Sequence, residues 1–314
     1  MRVLVTGGAG FIGSNLCRRL TSGSVPSVAG VVVIDDLSTG YAANLDGVDV
    51  EFIEGSILDS DALDRASAGV DAIVHLAALG SVPRSVADPV ASHLANAGGT
   101  VAVLEAARRR AAHVVVASSS SVYGATPTLP KREDLPTRPL SPYAASKLAT
   151  EAYTNAYFHS YGLDTLAFRF FNVYGPWQPA GHAYAAVVPA FVDAALADRP
   201  LRVHGDGTQS RDFTFVDTVT ATIADALVRR VSDPDPVNLA FGTRTDLLGL
   251  IALVEDQLGH RVEREHVDPR PGDVAHSQAD GTRLHELFPA IEATPLETGL
   301  AATVTWMRAT NIGR

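Results

Sequence analysis

Residues Val3 to Gly13 read Val-Leu-Val-Thr-Gly-Gly-Ala-Gly-Phe-Ile-Gly, a short apolar strand running into a glycine turn that opens a helix. Strand, turn and helix in this order begin a doubly wound parallel sheet, and the turn has the shape of a dinucleotide cradle. Gly7 can take positive φ in the tight turn, Gly10 lets the backbone approach a pyrophosphate, and Gly13 lets the helix pack close to the strand. The free N–H groups of the first helical turn would then hold the anion. An isolated G-x-x-G-x-x-G is also what an ordinary glycine turn looks like, so the surroundings decide. The apolar run from Gly30 to Ile34 ends in Asp35, about 20 residues on, where a carboxylate can accept hydrogen bonds from a ribose. Asp36 follows and no arginine lies nearby. A 2′-phosphate would meet two negative charges there, which points to NAD and not NADP.

The chain has 314 residues, of which 46% are hydrophobic, enough for a large core. No apolar run approaches the ~18 residues of a membrane span. Met1-Arg2-Val3 passes straight into a strand, so no leader and a cytoplasmic location are expected, with no membrane partner. The net charge is −10 with scattered Lys and Arg, which argues against a nucleic-acid partner while leaving room for a local diphosphate pocket. The ten histidines are dispersed, without ligand spacing, and no metal is expected. The single Cys17 cannot form an internal disulfide and reads as a small buried hydrophobe.

Strand-like runs recur at 2–6, 29–35, 50–54, 71–76, 112–118 and 165–171, with helical patterns between most of them, the signature of a parallel α/β sheet. The most helix-like stretches are Ala91 to Arg110 and Ser141 to Tyr161, the second with Pro142 in its first turn. Beyond about 172 the pattern loosens into short pieces bounded by Gly and Pro. The expected division is a dinucleotide-binding Rossmann domain over 1–171, rejoined by 212–240, and a smaller substrate-binding lobe over 172–211 and 241–314. Ligands of such sheets sit at the carboxyl ends of the strands.

Tyr143 and Lys147 are four residues apart, so a helix presents phenol and ammonium on one face. The cation would favour the phenolate and lower its pKa from about 10, making Tyr143 a general base. Two solvated surface groups would give the same spacing, and it is the glycine turn upstream that favours chemistry. The fifth strand ends in Ala117-Ser118-Ser119-Ser120-Ser121-Val122-Tyr123-Gly124, delivering hydroxyls to the carboxyl edge of the sheet, where some would satisfy their own backbone.

These residues resemble the extended short-chain dehydrogenases/reductases that act on nucleotide sugars, the NAD-dependent epimerase/dehydratase family, and within it the UDP-hexose 4-epimerases. Further carriers of the resemblance are His75-Leu-Ala-Ala78, Asn96 in Asn-x-x-Gly-Thr, and Arg169-Phe-Phe-Asn172-Val-Tyr-Gly-Pro176. Later in the chain come Tyr184-Ala-Ala-Val-Val-Pro189, Gly205-Asp-Gly-Thr-Gln-Ser-Arg211-Asp-Phe213 and Arg270-Pro-Gly-Asp273. The resemblance implies Tyr143, Lys147 and Ser119 as catalytic residues. It implies a cofactor site of Gly7, Gly10, Phe11, Ile12, Gly13, Asp35, Asp36, Ser38, Thr39, Gly40, Ser56, Ile57, Leu76, Ala77, Ala78, Asn96, Ser118, Tyr143, Lys147 and Phe170. Ser56 departs from the pattern, which has an adenine-binding Asp there. The implied substrate site comprises Gly80, Ser81, Ser119, Ser120, Ser121, Tyr143, Asn172, Ala186, Val187, Arg211, Arg270, Asp273 and Ser277. In it Arg211 and Arg270 clamp the diphosphate, for which their forks are suited, although either could instead be a surface ion-pair partner. A homodimer through the helices at 90–110 and 141–161 is also implied.

Members of the family share oxidation at C4 and differ in the fate of the resulting ketone. Dehydratases have an Asp-Glu pair after the catalytic hydroxyl and decarboxylases a Glu at the second site, whereas this chain has Ser120 and Ser121. Neither can serve as a carboxyl acid, so elimination loses its proton shuttle. The expected activity is a 4-epimerase acting on UDP-GlcNAc/UDP-GalNAc, with UDP-Glc/UDP-Gal also open. The alternatives are a UDP-glucose or UDP-glucuronate 4-epimerase, then a dehydratase or decarboxylase. Ser277, small where a Tyr would exclude an N-acetyl group, together with Gly80 and Ser81, favours the acetylated sugar. Ser277 is also compatible with tolerating both.

Overall fold

In the computed structural model, which describes residues 1–180, 185–268 and 275–311, the glycine turn joins β1 (Arg2–Thr6) to α1 (Phe11–Thr21). The chain continues through β2 (Gly30–Asp35), β3 (Glu51–Glu54), α2 (Ser60–Ala66) and β4 (Ala72–His75). Then come α3 (Val82–Ala87), α4 (Pro89–His93), α5 (Gly99–Arg110), β5 (His113–Ser119), α6 (Pro142–Tyr161) and β6 (Thr165–Phe170). These six strands fall within one or two residues of the runs read from the sequence. With a later strand they form a seven-stranded sheet, parallel throughout, whose order reverses between β1 and β4. The glycine turn therefore sits at the switch point of the sheet, where the flanking connections diverge and leave a crevice.

The inner strands are apolar through most of their length because both faces are covered, whereas the edge strand β3, Glu-Phe-Ile-Glu, is largely exposed. Val3, Val5, Val33 and Phe168 pack on one side with Leu16 and Ile223, while Leu4, Ile34, Ile73 and Val116 pack on the other with Leu63 and Leu104. Helix α6 starts where Ser141 Oγ accepts the Ala144 N–H at 3.1 Å and Pro142 fixes the first turn. It stops at Gly162, whose φ of +63° favours glycine. Loss of the Ser141 cap would cost about 1 kcal/mol.

The stretch expected as one helix from Ala91 to Arg110 is interrupted by a π-helical turn at Leu94–Gly98. Two contacts account for it. Asn96 turns inward to bond Leu79, and Gly99 lies so close to Ile57 that a Cβ would stand 2.4 Å from its Cδ1.

Beyond β6 lie β7 (Asn172–Tyr174), α7 (Val187–Leu196), β8 (Leu201–His204), β9 (Ser210–Arg211), β10 (Phe213–Phe215) and α8 (Val216–Arg229). They are followed by β11 (Val237–Leu239), β12 (Thr245–Asp246), α9 (Leu247–Leu258), β13 (Arg264–Val267), α10 (Thr282–Leu287) and α11 (Leu296–Asn311). β11 returns to complete the main sheet beside β6. The pairs β7–β10, β8–β13 and β9–β12 form three small ladders. A separate apolar cluster, including Tyr174, Phe191, Leu250 and Val304, joins α7, α9 and α11.

Candidate active site

A cleft of about 840 Å³ opens along the carboxyl ends of the central strands, from Asp35 and Ser56 at one end to Ser119, Tyr143 and Ala186 at the other. Its floor is the glycine turn. Gly7 has φ +72°, and a Cβ there would meet the Ala77 backbone nitrogen at 2.7 Å, so the β1 and β4 turns touch only because the residue is glycine. Gly13 allows contact with the turn itself more than with the strand, since its Cβ would stand 2.2 Å from the Gly7 carbonyl oxygen. Gly10 caps α1 without a side chain, and the first turn contains no acidic residue. The N–H groups of Phe11, Ile12 and Gly13 therefore face the cleft with no intrahelical acceptor, a fit for a pyrophosphate.

Asp35 ends β2 with its carboxylate in the wall. One oxygen accepts the Ala9 N–H and the other the Leu37 N–H, both at 2.9 Å, and each oxygen keeps a lone pair for a further donor. Burial pushes this carboxyl above its ordinary value, and the two N–H bonds oppose the shift. Asp36, Ser38, Thr39, Ser56, Ile57, Leu76, Ala77, Ala78, Ser118 and Phe170 also line the cleft, with Gly80, Ser81 and Ala186 toward the far end.

Other candidates stand outside the wall for visible reasons. Gly40 packs against the Ala9 backbone. Asn96 Oδ1 accepts the Leu79 N–H at 2.8 Å and its amide nitrogen donates to Ser146 Oγ at 2.9 Å, and so it supports the β4–α3 loop from behind. Ser120 and Ser121 form a single 3₁₀ turn capped by Ser119, whose Oγ accepts the Ser121 N–H at 3.1 Å. Asn172 donates to the Asp212 carbonyl at 3.2 Å, Val187 begins α7, and the Ser277 N–H bonds the Ser210 carbonyl at 3.0 Å. Arg211 donates to the Ser210 and Ala275 carbonyls at 2.9 and 3.2 Å. Arg270 and Asp273 lie outside the described residues.

Tyr143 and Lys147 share the face of α6 that meets β5. The Lys147 ammonium is buried and donates to the Ala117 carbonyl at 2.8 Å. Burial lowers its pKa to about 8, and Glu151 counteracts. The Tyr143 phenol is raised by burial, with the Ser119 side chain acting downward through a hydrogen bond. Lys147 was expected to bring that phenol below 10, but desolvation dominates here and the opposing group is Ser119. His75 lies behind the pair, bridging Thr6 and Thr100 at 2.8 and 3.2 Å. Burial, and then the charge of Lys147, hold it neutral with a pKa of about 3.

Sequence reading missed several residues of the wall. Asn44 donates to the Ala9 carbonyl at 2.9 Å, and its neighbour Tyr41 lies exposed in the same wall. Arg84 joins the wall from the first turns of α3. Gln178 donates to the Val173 carbonyl at 3.1 Å and leaves its Oε1 buried without a partner. Loop residues carry no periodic signal, and only the glycine and proline around them marked the loops.

No helix among the described residues is long and apolar enough to cross a membrane. Among the same residues no group of three metal-ligating side chains comes together.

Residues 3–240 match the family described as "NAD dependent epimerase/dehydratase family". A UDP-glucose 4-epimerase of Mycolicibacterium smegmatis is 41% identical over 318 positions, which cover 98% of this chain and 99% of that one. Among solved structures, the UDP-N-acetylglucosamine 4-epimerase of Methanobrevibacter ruminantium, in complex with UDP-N-acetylmuramic acid, superposes with a TM-score of 0.91 at 35% identity, covering 98% of each chain. The UDP-glucose 4-epimerase of Thermotoga maritima with UDP-glucose gives 0.91 at 33% identity and 99% coverage of each.

Proposed function

The chain belongs to the NAD-dependent epimerase/dehydratase family, and from that footing we infer that its cleft serves a UDP-sugar 4-epimerase, an isomerase that uses NAD. The observation that carries this reading is the sharing of one cleft by the uncapped start of α1, Asp35 and the Tyr143–Lys147 pair. When bound, NAD supplies the acceptor for the C4 hydride and returns it. Asp35 would hold the adenosine ribose, and the α1 N–H groups the pyrophosphate.

At the other end of the cleft, Tyr143 takes the proton of the 4-hydroxyl and later gives it back, with Ser119 steering the phenol and the sugar oxygen. Lys147, gripped by the Ala117 carbonyl, keeps a positive charge beside the developing phenolate. The carboxylates of the wall are Asp35 and Asp36, both at the adenosine end. No carboxyl acid therefore stands beside Tyr143 among the described wall residues, and inversion at C4 needs none. Asn172, Arg211, Arg270 and Asp273 would anchor the nucleoside diphosphate while the 4-keto sugar turns over.

We propose UDP-GlcNAc and UDP-GalNAc as the preferred pair. Gly80 supports this, because a Cβ at that position would meet nothing within 4 Å and the wall there has room for a C2 substituent. The small Ser81 and Ala186 of the same wall agree with it, and Ser277, which lies outside that wall, is small as well. A second reading, UDP-glucose 4-epimerase, is favoured by the relative at 41% identity. The two are separated by incubating the purified protein, without added cofactor, with UDP-GlcNAc and UDP-Glc in turn and resolving the C4 epimers. Conversion of UDP-GlcNAc with the higher kcat/KM supports the first reading; conversion of UDP-Glc alone overturns it. Accumulation of a 4-keto or pentose product overturns both. The division into a dinucleotide domain and a lobe, and a homodimer across α4–α6, belong to the same proposal. Exposed Val90, Leu94 and Tyr153 on these helices favour the homodimer.

A further inference from the structure

Helix α6 carries a third functional group in line with Tyr143 and Lys147. Glu151 follows Lys147 by four residues and lies on the same face. It is as buried as the lysine, at 6% exposure for each. Both oxygens of its carboxylate are engaged. Oε1 accepts the Ser118 hydroxyl at 2.5 Å and the Arg169 Nε at 2.9 Å, and Oε2 accepts a terminal Arg169 nitrogen at 2.9 Å. Arg169 comes from β6, where it is the register partner of Ser118 on β5. Its guanidinium lies 4.7 Å over the Tyr123 ring and also reaches the Glu133 carbonyl at 3.3 Å. One carboxylate thus ties α6 to the last residues of β5 and β6. On one side of the tie, Ala117 grips Lys147, and on the other, Ser119 faces the cleft.

We propose that Glu151 is a positioning residue for proton transfer. Held in the Arg169 fork and taking the Ser118 hydroxyl, it locks the end of β5 onto α6, so that Lys147 stays charged on the Ala117 carbonyl and Ser119 stays at Tyr143. This rests on the reading of Tyr143 and Lys147 as the proton-transfer pair. Here the group acting to keep Lys147 protonated against burial is Glu151. The other ionisable group coupled to that ammonium is the neutral His75 of β4, and Tyr143 lies one turn earlier on the same helix. Arg169 stands behind Glu151, and its charge is spent on the carboxylate.

The test is Glu151→Gln in the full-length enzyme with its bound NAD, read as the pH profile of kcat. For the wild type, kcat is expected to fall on the basic side as Lys147 loses its proton. The expected result for the variant is a basic limb displaced downward by about one pH unit, a tenfold change in proton affinity, with KM for the UDP-sugar within twofold. Arg169 would be left without its counter-charge, so Glu151→Gln/Arg169→Gln is made in parallel; it removes both charges and is read the same way if the single variant fails to fold. An unmoved basic limb, with loss of activity proportional at every pH, overturns the proposal and leaves a structural ion pair. Tyr143→Phe separates the two levels. If it stays active, the underlying assignment of the base fails; if it is inactive while the basic limb of the Glu151 variant is unmoved, only the role of Glu151 fails.

Discussion

Replacement of Gly13 by alanine tests the cofactor cradle where its geometry is tightest. The new Cβ would stand 2.2 Å from the Gly7 carbonyl oxygen and 2.7 Å from Gly8 Cα, whereas ordinary contact begins at 3.4 Å. Turn and helix must therefore part by about 1.2 Å, and both contacts are backbone, so no side chain can yield instead. Overpacking of this kind costs about 1–3 kcal/mol, which in a chain of this size lowers Tm by roughly 2–6 °C. The same displacement carries the Phe11 and Ile12 N–H groups away from the pyrophosphate. Loss of an anion's place at a helix start removes up to about 2 kcal/mol, or roughly thirtyfold in affinity. Gly10→Ala is the control, because its Cβ would meet only the Gly7 oxygen at 3.2 Å in an extended conformation open to any residue. It should leave Tm of the NAD-free protein within about 2 °C and weaken NAD only through contact with the ligand. Thermal unfolding of the NAD-free protein and calorimetric titration with NAD are the assays. If Gly13→Ala matched the wild type in both, the contact between turn and helix would not be rigid, and the argument for a pyrophosphate cradle would fail.

Tyr143→Phe should lower kcat by about 10²–10⁴ with an unchanged circular dichroism spectrum; retained turnover would remove the phenol from the mechanism. Asp35→Asn should weaken NAD by about tenfold, through loss of a charged acceptor, and titration checks it. His75 is held at about 3 in the fold against 6.5 for the free side chain, so between those values the unfolded chain binds a proton that the folded chain refuses. Stability should therefore be complete above pH 6.5 and fall below it by about 1.4 kcal/mol per pH unit. Urea unfolding at pH 7 and 5 should show this loss in the wild type and a smaller one in His75→Gln, which can still bridge Thr6 and Thr100. Sedimentation should give a dimer that Leu94→Arg weakens; a monomeric wild type would refute that assembly.

The parallel sheet was legible because most of its first six strands are built on apolar runs and its longest helix, α6, announces both ends with Ser141-Pro142 and Gly162. The π turn at Leu94–Gly98 was not, since its cause is the bond of Asn96 to Leu79 and the contact of Gly99 with Ile57, both set by distant parts of the chain. The ladders β7–β10 and β9–β12 have two or three residues a strand, too few to show a period. In the site, spacing revealed that Tyr143 and Lys147 share a face, but their proton affinities depend on burial, which spacing does not contain. For the same reason Glu151 is an unremarked helix acid in the sequence and becomes legible only when Arg169 and Ser118 close around it.

The most direct measurement of the central claim tracks the C4 hydrogen. UDP-GlcNAc, or UDP-Glc if that is the sugar accepted, carrying deuterium at C4 is incubated with the purified protein in ordinary water without added cofactor, and the epimeric product is examined by mass spectrometry and NMR. Full retention of deuterium at C4 is the predicted result, because the hydride leaves and returns within one closed cleft. Its appearance in water, or in a reduced coenzyme free in solution, would contradict the account.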